Sequence, residues 1–371
     1  MFNIFQPLYL QQFGADPRMI GGILGALGVA MAVAQFPAGF LADRIGGRPL
    51  MWSAWILGIL ATGLMALGQS LAIFVAGLLL YGITAYVSTP MNSYVADMRG
   101  KWGVGKAFAV MQALYSLGAI AGPALGGWIG DQYGLKAVYL AAFVVFIFSF
   151  GVILFIRPQP PIDRVHIGPV IQLHRHGRFI ALLPFFFITV LGAYLPQTLT
   201  PNYLQNQQGL SLSQIGQLGS IGSLGVVVIL VAFGGLSPIA GLLSGLAAIG
   251  LYALVLWQGT SFTWFAVGYF FIGGYRLART MIPAFVRPVI PKGQTGAAFG
   301  LVELVNGLAL FLAPVIGGWL YALRPDSLYF ISLIICGGAF LLNLIFLPGI
   351  QRAALSRTVR EAENENEANI A

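Results

Sequence analysis

The chain has 371 residues, 58% hydrophobic and only 8% charged, with a mean hydropathy of +0.85 and a net charge of +8. A water-soluble domain carries roughly 25% charged residues. A chain this apolar excludes a soluble fold and makes the bilayer its solvent. The basic excess sits in short gaps between apolar runs. That placement excludes a nucleic-acid binder and fits the control of membrane orientation.

The runs are about 20 residues long and do not alternate, which selects helices over barrel strands. In chain order, a stub at residues 1–13 precedes spans at 19–42, 49–68, 71–95, 106–128, 135–156, 179–204, 212–234, 237–257, 261–284, 296–320 and 327–349. The stub reaches only about 20 Å, short of a hydrocarbon core about 30 Å thick. Its sequence, "MFNIFQPLYLQQFG", lacks the basic n-region of a signal peptide. The expected architecture is all-α and polytopic, with eleven complete spans after a partial first helix.

The longest polar gap, "RPQPPIDRVHIGPVIQLHRHGR", divides the chain near its middle. It predicts an N-terminal bundle at 1–156, a central loop at 157–178, a C-terminal bundle at 179–349 and a tail at 350–371. Apolar residues in the loop, among them Ile162, Val165, Ile167, Val170, Ile171 and Leu173, suit a short interfacial helix. The tail "EAENENEANIA" is polar enough to predict disorder.

Alternate gaps fall on alternate sides of the membrane. One side receives Arg44, Arg48, Arg99, Lys101, Lys106, Arg157, Arg164, Arg175, Arg178, Arg287, Lys292, Arg352, Arg357 and Arg360; the other receives Arg18, Lys136 and Arg324. That bias places the central loop and the C-terminus in the cytoplasm and the spans in the cell membrane.

Three features invite other chemistry and fail on inspection. Cys336 stands alone, so there is neither a disulfide framework nor a cysteine metal set. His166, His174 and His176 lack further strong ligands nearby and read as solvated loop. "GKWGVGKA", Gly100 to Ala107, nearly spells a phosphate-binding loop but has Ala107 where the hydroxyl residue belongs and no preceding core strand. No buried histidine–carboxylate or metal set indicates an enzyme, and no cofactor is expected.

The chain repeats itself. A shift of 191 residues, in either direction, pairs Gly82 with Gly273, Phe108 with Phe299, Pro123 with Pro314, Gly126 with Gly317, Gly127 with Gly318 and Trp128 with Trp319. A shift of 194 pairs "PLYLQQFG" from Pro7 with "PNYLQNQQG" from Pro201, allowing one inserted residue. The unit holds six spans, an even number, so two six-helix bundles point the same way about an axis along the membrane normal. The pairing also predicts that the first helix is truncated, because its partner begins near Phe179 and the counterpart start would lie before Met1.

Two motifs carry a resemblance. "GFLADRIGGRPLM" follows the signature G-x-L-a-D-R-x-G-R-[KR] of the major facilitator superfamily of transporters, matching at Gly39, Leu41, Asp43, Arg44, Gly46 and Arg48, with Gly47 where a basic residue is usual. The resemblance implies that Asp43 holds a cytoplasmic gate through bonds to basic groups and helix ends. The corresponding stretch of the second half, "FGGLSPIAG", has lost these charges. The second motif, G-x-x-x-G-P-x-x-G-G in the span 106–128, resembles an element of exporter families and is complete at Gly118, Gly122, Pro123, Gly126 and Gly127. Small residues let helices approach closely and proline bends them. The echo keeps Pro314, Gly317 and Gly318 but has Ala309 and Ala313 at the places of Gly118 and Gly122. One family element is absent: many proton-coupled drug antiporters have arginine four residues before the glycine equivalent to Gly82, and here that residue is Leu78.

Only Arg276, Arg279 and Glu303 are ionisable and well inside spans. A charge at bilayer depth costs at least about 2.5–3.5 kcal/mol, so each needs a partner or water. Arg279 and Glu303 sit at similar depth on consecutive spans and are expected to pair, either as a static ion pair or with Glu303 as a protonatable coupling group. Arg276 has no evident carboxylate partner and is a candidate for an anionic substrate group. Asn92, Gln112, Gln197 and Asn306, with Thr84, Ser88, Tyr194 and Thr198, are further candidates for lining a cavity, although such residues also join helices. The resulting expectation is a secondary transporter moving a small organic solute, anionic or amphipathic, by alternating access, with export and proton coupling. Uptake, or a non-transporting membrane sensor or assembly partner on the same fold, is the alternative.

Overall fold

In a computed structural model, residues 1–35, 41, 46–98, 100–157, 177–287, 290 and 295–370 are described. They form helices and turns, with no strand among them. Among the described residues, ten helical segments are long and apolar enough to cross a membrane. The chain divides into two compact units. The first comprises Met1–Ile167, Gln197–Leu224 and Phe311–Ser327, and the second comprises Gly168–Pro196, Gly225–Leu310 and Leu328–Ala371.

In the first unit, α1 (Gln6–Gln12) is followed by α2 (Pro17–Gln35), α3 (Gly47–Leu67), α4 (Leu71–Ile83), α5 (Ser88–Asp97), α6 (Val104–Tyr133) and α7 (Leu135–Ile153). The stub α1 is short but buried, with Leu8 and Leu10 inside and Phe5 just before it. Around it Tyr9 stacks on Tyr139 at 4.8 Å, and Phe74 meets both rings edge-on at 4.9 and 5.2 Å. Each such pair adds about 0.5–1.5 kcal/mol beyond the area it buries. Leu78, at the place of the antiporter arginine, is fully buried. A 3₁₀ turn at Thr84–Val87 separates α4 from α5. Thr84 and Ser88 donate to the Tyr81 and Ala85 carbonyls at 2.6 and 3.1 Å there, a back-bonding that bends helices.

The second half of the chain contributes α8 (Gly177–Tyr194), α9 (Thr200–Asn206), α10 (Leu212–Phe233), α11 (Pro238–Gln258), α12 (Phe262–Phe270), α13 (Gly273–Val286), α14 (Thr295–Leu323) and α15 (Ser327–Ile370). The expected single span at 261–284 is thus two helices. Phe271 and Ile272 close i→i+3 bonds onto Gly268 and Tyr269, at 2.9 and 3.1 Å, and interrupt the α ladder. The break adjoins close packing: a Cβ on Gly273 would lie 2.8 Å from the Gly225 carbonyl of α10, and one on Gly245 of α11 would lie 2.7 Å from the Gly274 carbonyl. In the second unit these helices enclose an apolar core that includes Leu182, Phe186, Leu246, Ile249, Leu277 and Phe285. Within it Asn343 donates to Thr189 at 2.9 Å.

The tail departs from expectation. α15 runs on to Ile370 through the stretch read as disordered. Beyond Gly349 it contains neither glycine nor proline, and its alanines and glutamates favour helix.

Candidate transport site

The second unit carries the three deep charges. The sequence "GGYRLART" shapes α13 so that its two glycines meet neighbouring backbones, while Tyr275, Leu277, Ala278, Met281 and Ile282 are buried. Arg276, Arg279 and Thr280 are left on the remaining face, with Arg276 and Thr280 exposed and Arg279 partly so. Arg279 reaches Glu303 of α14, Nη2 to Oε2, at 3.0 Å. It also donates to the Tyr275 hydroxyl at 3.5 Å. Buried Asn306, one turn along α14, donates to the other Glu303 oxygen at 3.4 Å. Tyr194 of α8 packs its ring on Tyr275 at 5.4 Å. Arg276 makes no side-chain hydrogen bond or ion pair among the described residues, and the Tyr194 hydroxyl lies within electrostatic reach of it.

The pair is not sealed: the side chains of Arg279 and Glu303 are 33% and 54% exposed. A charged face carries a large cost against lipid. The local charge is one cation in excess, from two arginines and one glutamate. The remaining candidates lie in the other unit. Asn92 on α5 and Gln112 on α6 are exposed, and Gln197 is partly buried.

The glycine–proline motif is resolved in detail within the first unit. A Cβ on Gly122 would lie 2.9 Å from the backbone of Met1, and one on Gly126 would lie 3.0 Å from the Phe5 ring. Gly127 turns the other way, where a Cβ would meet the Leu212 carbonyl and lie 3.0 Å from the Ser213 Cα of α10. The Pro123 carbonyl in turn occupies the place of a Cβ on Gly216. The motif therefore serves two contacts, with the segment Met1–Phe5 that leads into α1 and with α10. Gly118 has nothing within 4 Å and takes part in neither. Helix α6 continues through Pro123, and the Ala124 N–H next to it is taken by Ser220 Oγ of α10 at 3.1 Å.

The echo builds a matching contact in the same unit. The Pro314 carbonyl of α14 fills the Cβ place of Gly21 on α2, and Gly318 meets the Pro17 carbonyl. The other repeated segment also meets its copy, for Asn202 of α9 donates to the Pro7 carbonyl of α1 at 3.2 Å. Of the gate motif, Gly46 opens α3 with a φ of 82°, and Arg48 lies over the Trp52 ring at 4.3 Å. Gly39, Asp43 and Arg44 lie outside the described residues, as do the loop histidines and the suggested interfacial helix.

Residues 1–274 match the family model described as Major Facilitator Superfamily. The chain belongs to that superfamily. Among curated relatives, the class C tetracycline resistance protein of Escherichia coli is 26% identical over 91% of this chain and 88% of its own length. An uncharacterized MFS-type transporter of Methanocaldococcus jannaschii is 24% identical over 84% of each chain. The crystal structure of a nucleoside transporter superposes with a TM-score of 0.78 at 11% identity, covering 94% of this chain and 96% of that one. That likeness shows the fold, all-α and of the MFS type.

Sequence reasoning missed two features. Tyr275 as a partner of Arg279 carried no signal beyond its i, i+4 spacing. Asp131, near the end of α6, is the other. The carboxylate sits one turn beyond Gly127, and the repeat places Ser211 opposite Asp16; together these could have drawn attention to it.

Proposed function

We propose that this superfamily member exports a small organic anion by alternating access of its two homologous halves, with the central loop and C-terminus cytoplasmic. The observation that carries the anionic reading is Arg276, a cation with no carboxylate partner among the described residues, on the exposed face of α13 beside an already satisfied Arg279–Glu303 pair. Export is supported by the complete glycine–proline motif and by the tetracycline-resistance relative. A membrane potential negative inside drives an anion outward, by about 2.3 kcal/mol per charge per 100 mV.

The charge arithmetic also favours a second reading. A proton on Glu303 raises the local charge from one cation in excess to two, so proton and anion bind cooperatively and travel together. Under an inward proton force that is uptake. Antiport needs the two to compete, and an anion does not.

Flux of labelled organic anions in proteoliposomes, under a potential and a pH gradient imposed separately, decides between these readings. Export predicts flux that follows the potential. Uptake predicts accumulation that follows the pH gradient and disappears in Glu303→Gln. Full proton dependence in that variant removes the coupling role. Arg276→Ala is expected to weaken apparent anion affinity at least about tenfold, the scale of one lost charge-assisted bond; unchanged affinity for every transported anion overturns the anionic reading. Binding without flux under either gradient points to a sensor or assembly partner.

A further inference from the structure

Asp131 lies in the last turn of α6 and is exposed. Its carboxylate accepts three hydrogen bonds from the start of α10: Ser211 Oγ at 2.8 Å, Leu212 N at 2.9 Å and Ser213 N at 2.8 Å. These bonds join two homologous halves of the chain, and both partners lie in the first compact unit.

α10 does not need Asp131 for its own cap. Ser211 Oγ accepts from the Gln214 N–H at 3.2 Å, and the Gln214 side chain accepts from the Ser211 N–H at 2.9 Å. That reciprocal pair is a complete capping box. The donors it leaves over belong to the first two helical residues, Leu212 and Ser213, and Asp131 takes those two. The bonds are charge-assisted and lie at the positive end of a helix dipole. One turn away, Gly127 and Gly216 already bring the two backbones together.

The matching contact between α14 and α2 has no such device. Its helix starts with Pro17, which has no N–H to give, and is capped by its own Asp16, which accepts from the Met19 N–H at 2.7 Å. The residue equivalent to Asp131 on α14 is Ala322.

We propose that Asp131 is a latch that holds the α6 and α10 ends together, and that opening of this end requires its three bonds to be given up. The proposal rests on alternating access but not on any choice of substrate. Spin labels at Gln132→Cys and Gln217→Cys, in a Cys336→Ala background, report the separation of the two ends by pulsed dipolar spectroscopy without substrate. Asp131→Ala is expected to raise the open-to-closed ratio about tenfold, the scale of one lost charge-assisted bond, and Asp131→Asn by less. Asp16→Ala, which removes a cap within one helix, should leave the α6–α10 distances unchanged. If Asp131→Ala does not fold, Asp131→Asn carries the test by the same distances. Identical distributions in the folded variant and the parent overturn the latch. A shifted distribution in a protein that moves no solute sustains the latch and overturns the transport reading instead.

Discussion

The α6–α10 and α14–α2 contacts descend from one repeat and share one backbone solution. In each, a proline carbonyl sits where a glycine Cβ would be, at Gly216 and at Gly21, and a second glycine, Gly127 or Gly318, lies against the start of the partner helix. Their side chains have diverged. The first contact adds the Asp131 carboxylate and Ser220, whose hydroxyl takes the Ala124 N–H and donates to the Gly216 carbonyl at 3.2 Å. The second has Gly25 at the place of Ser220. Its added interaction is Arg18 over the Trp319 ring at 4.0 Å. Backbone fit is what the fold requires of both contacts, whereas polar fastening has been concentrated in one.

That comparison can be broken or sharpened in order of expected effect. Gly216→Leu forces a side chain into the Pro123 carbonyl and should cost about 3 kcal/mol at the contact, the upper range for overpacking. Gly21→Leu should cost as much, because the backbone geometry is shared. Spin-label distances across each contact, with thermal unfolding in detergent as the stability check, measure both; a mild effect at either site would mean that the close approach is dispensable there. Ser220→Ala should cost about 1 kcal/mol, the scale of one unmade hydrogen bond, and should add to Asp131→Asn less than fully, since both fasten the same helix pair. Arg18→Ala should cost about 0.5–1 kcal/mol, as expected for an exposed cation–π contact. It should act on the α14–α2 distance and leave α6–α10 alone.

The architecture was legible in the sequence because its signals are long or repeated. Twenty-residue apolar runs need no tertiary information, and the Pro123–Pro314 and Gly127–Gly318 pairs announce the duplication by register. The Arg279–Glu303 pair was readable for a similar reason: two costly charges at one depth on consecutive helices have few other solutions. The break at Phe271–Ile272 was not readable, since no proline marks it and the neighbouring close approach of Gly225 and Gly245 to Gly273 and Gly274 is a tertiary contact. Gly118 shows the reverse failure. It fits the motif's spacing yet touches nothing, because spacing fixes a helix face and not whether a neighbour reaches it. Asp131 was hidden because its partners are backbone N–H groups, which leave no mark on composition.

Leu78 has a consequence for how the chain enters the membrane. On insertion scales a central leucine is favourable by about 0.3–0.6 kcal/mol, whereas a central arginine costs about 2.5–3.5 kcal/mol. From residue 49 to residue 156 every charged residue lies at or beyond a span end. Each of these early helices can therefore leave the ribosome and partition into lipid unaided. The segment from Phe262 to Val286 cannot do so on the same terms. It brings two arginines and a broken ladder, and the glutamate that pairs with one of them is made 24 residues later. The first half of the molecule can thus be membrane-embedded before its most demanding helix is synthesised, and that helix must wait, beside already inserted neighbours, for Glu303 to arrive.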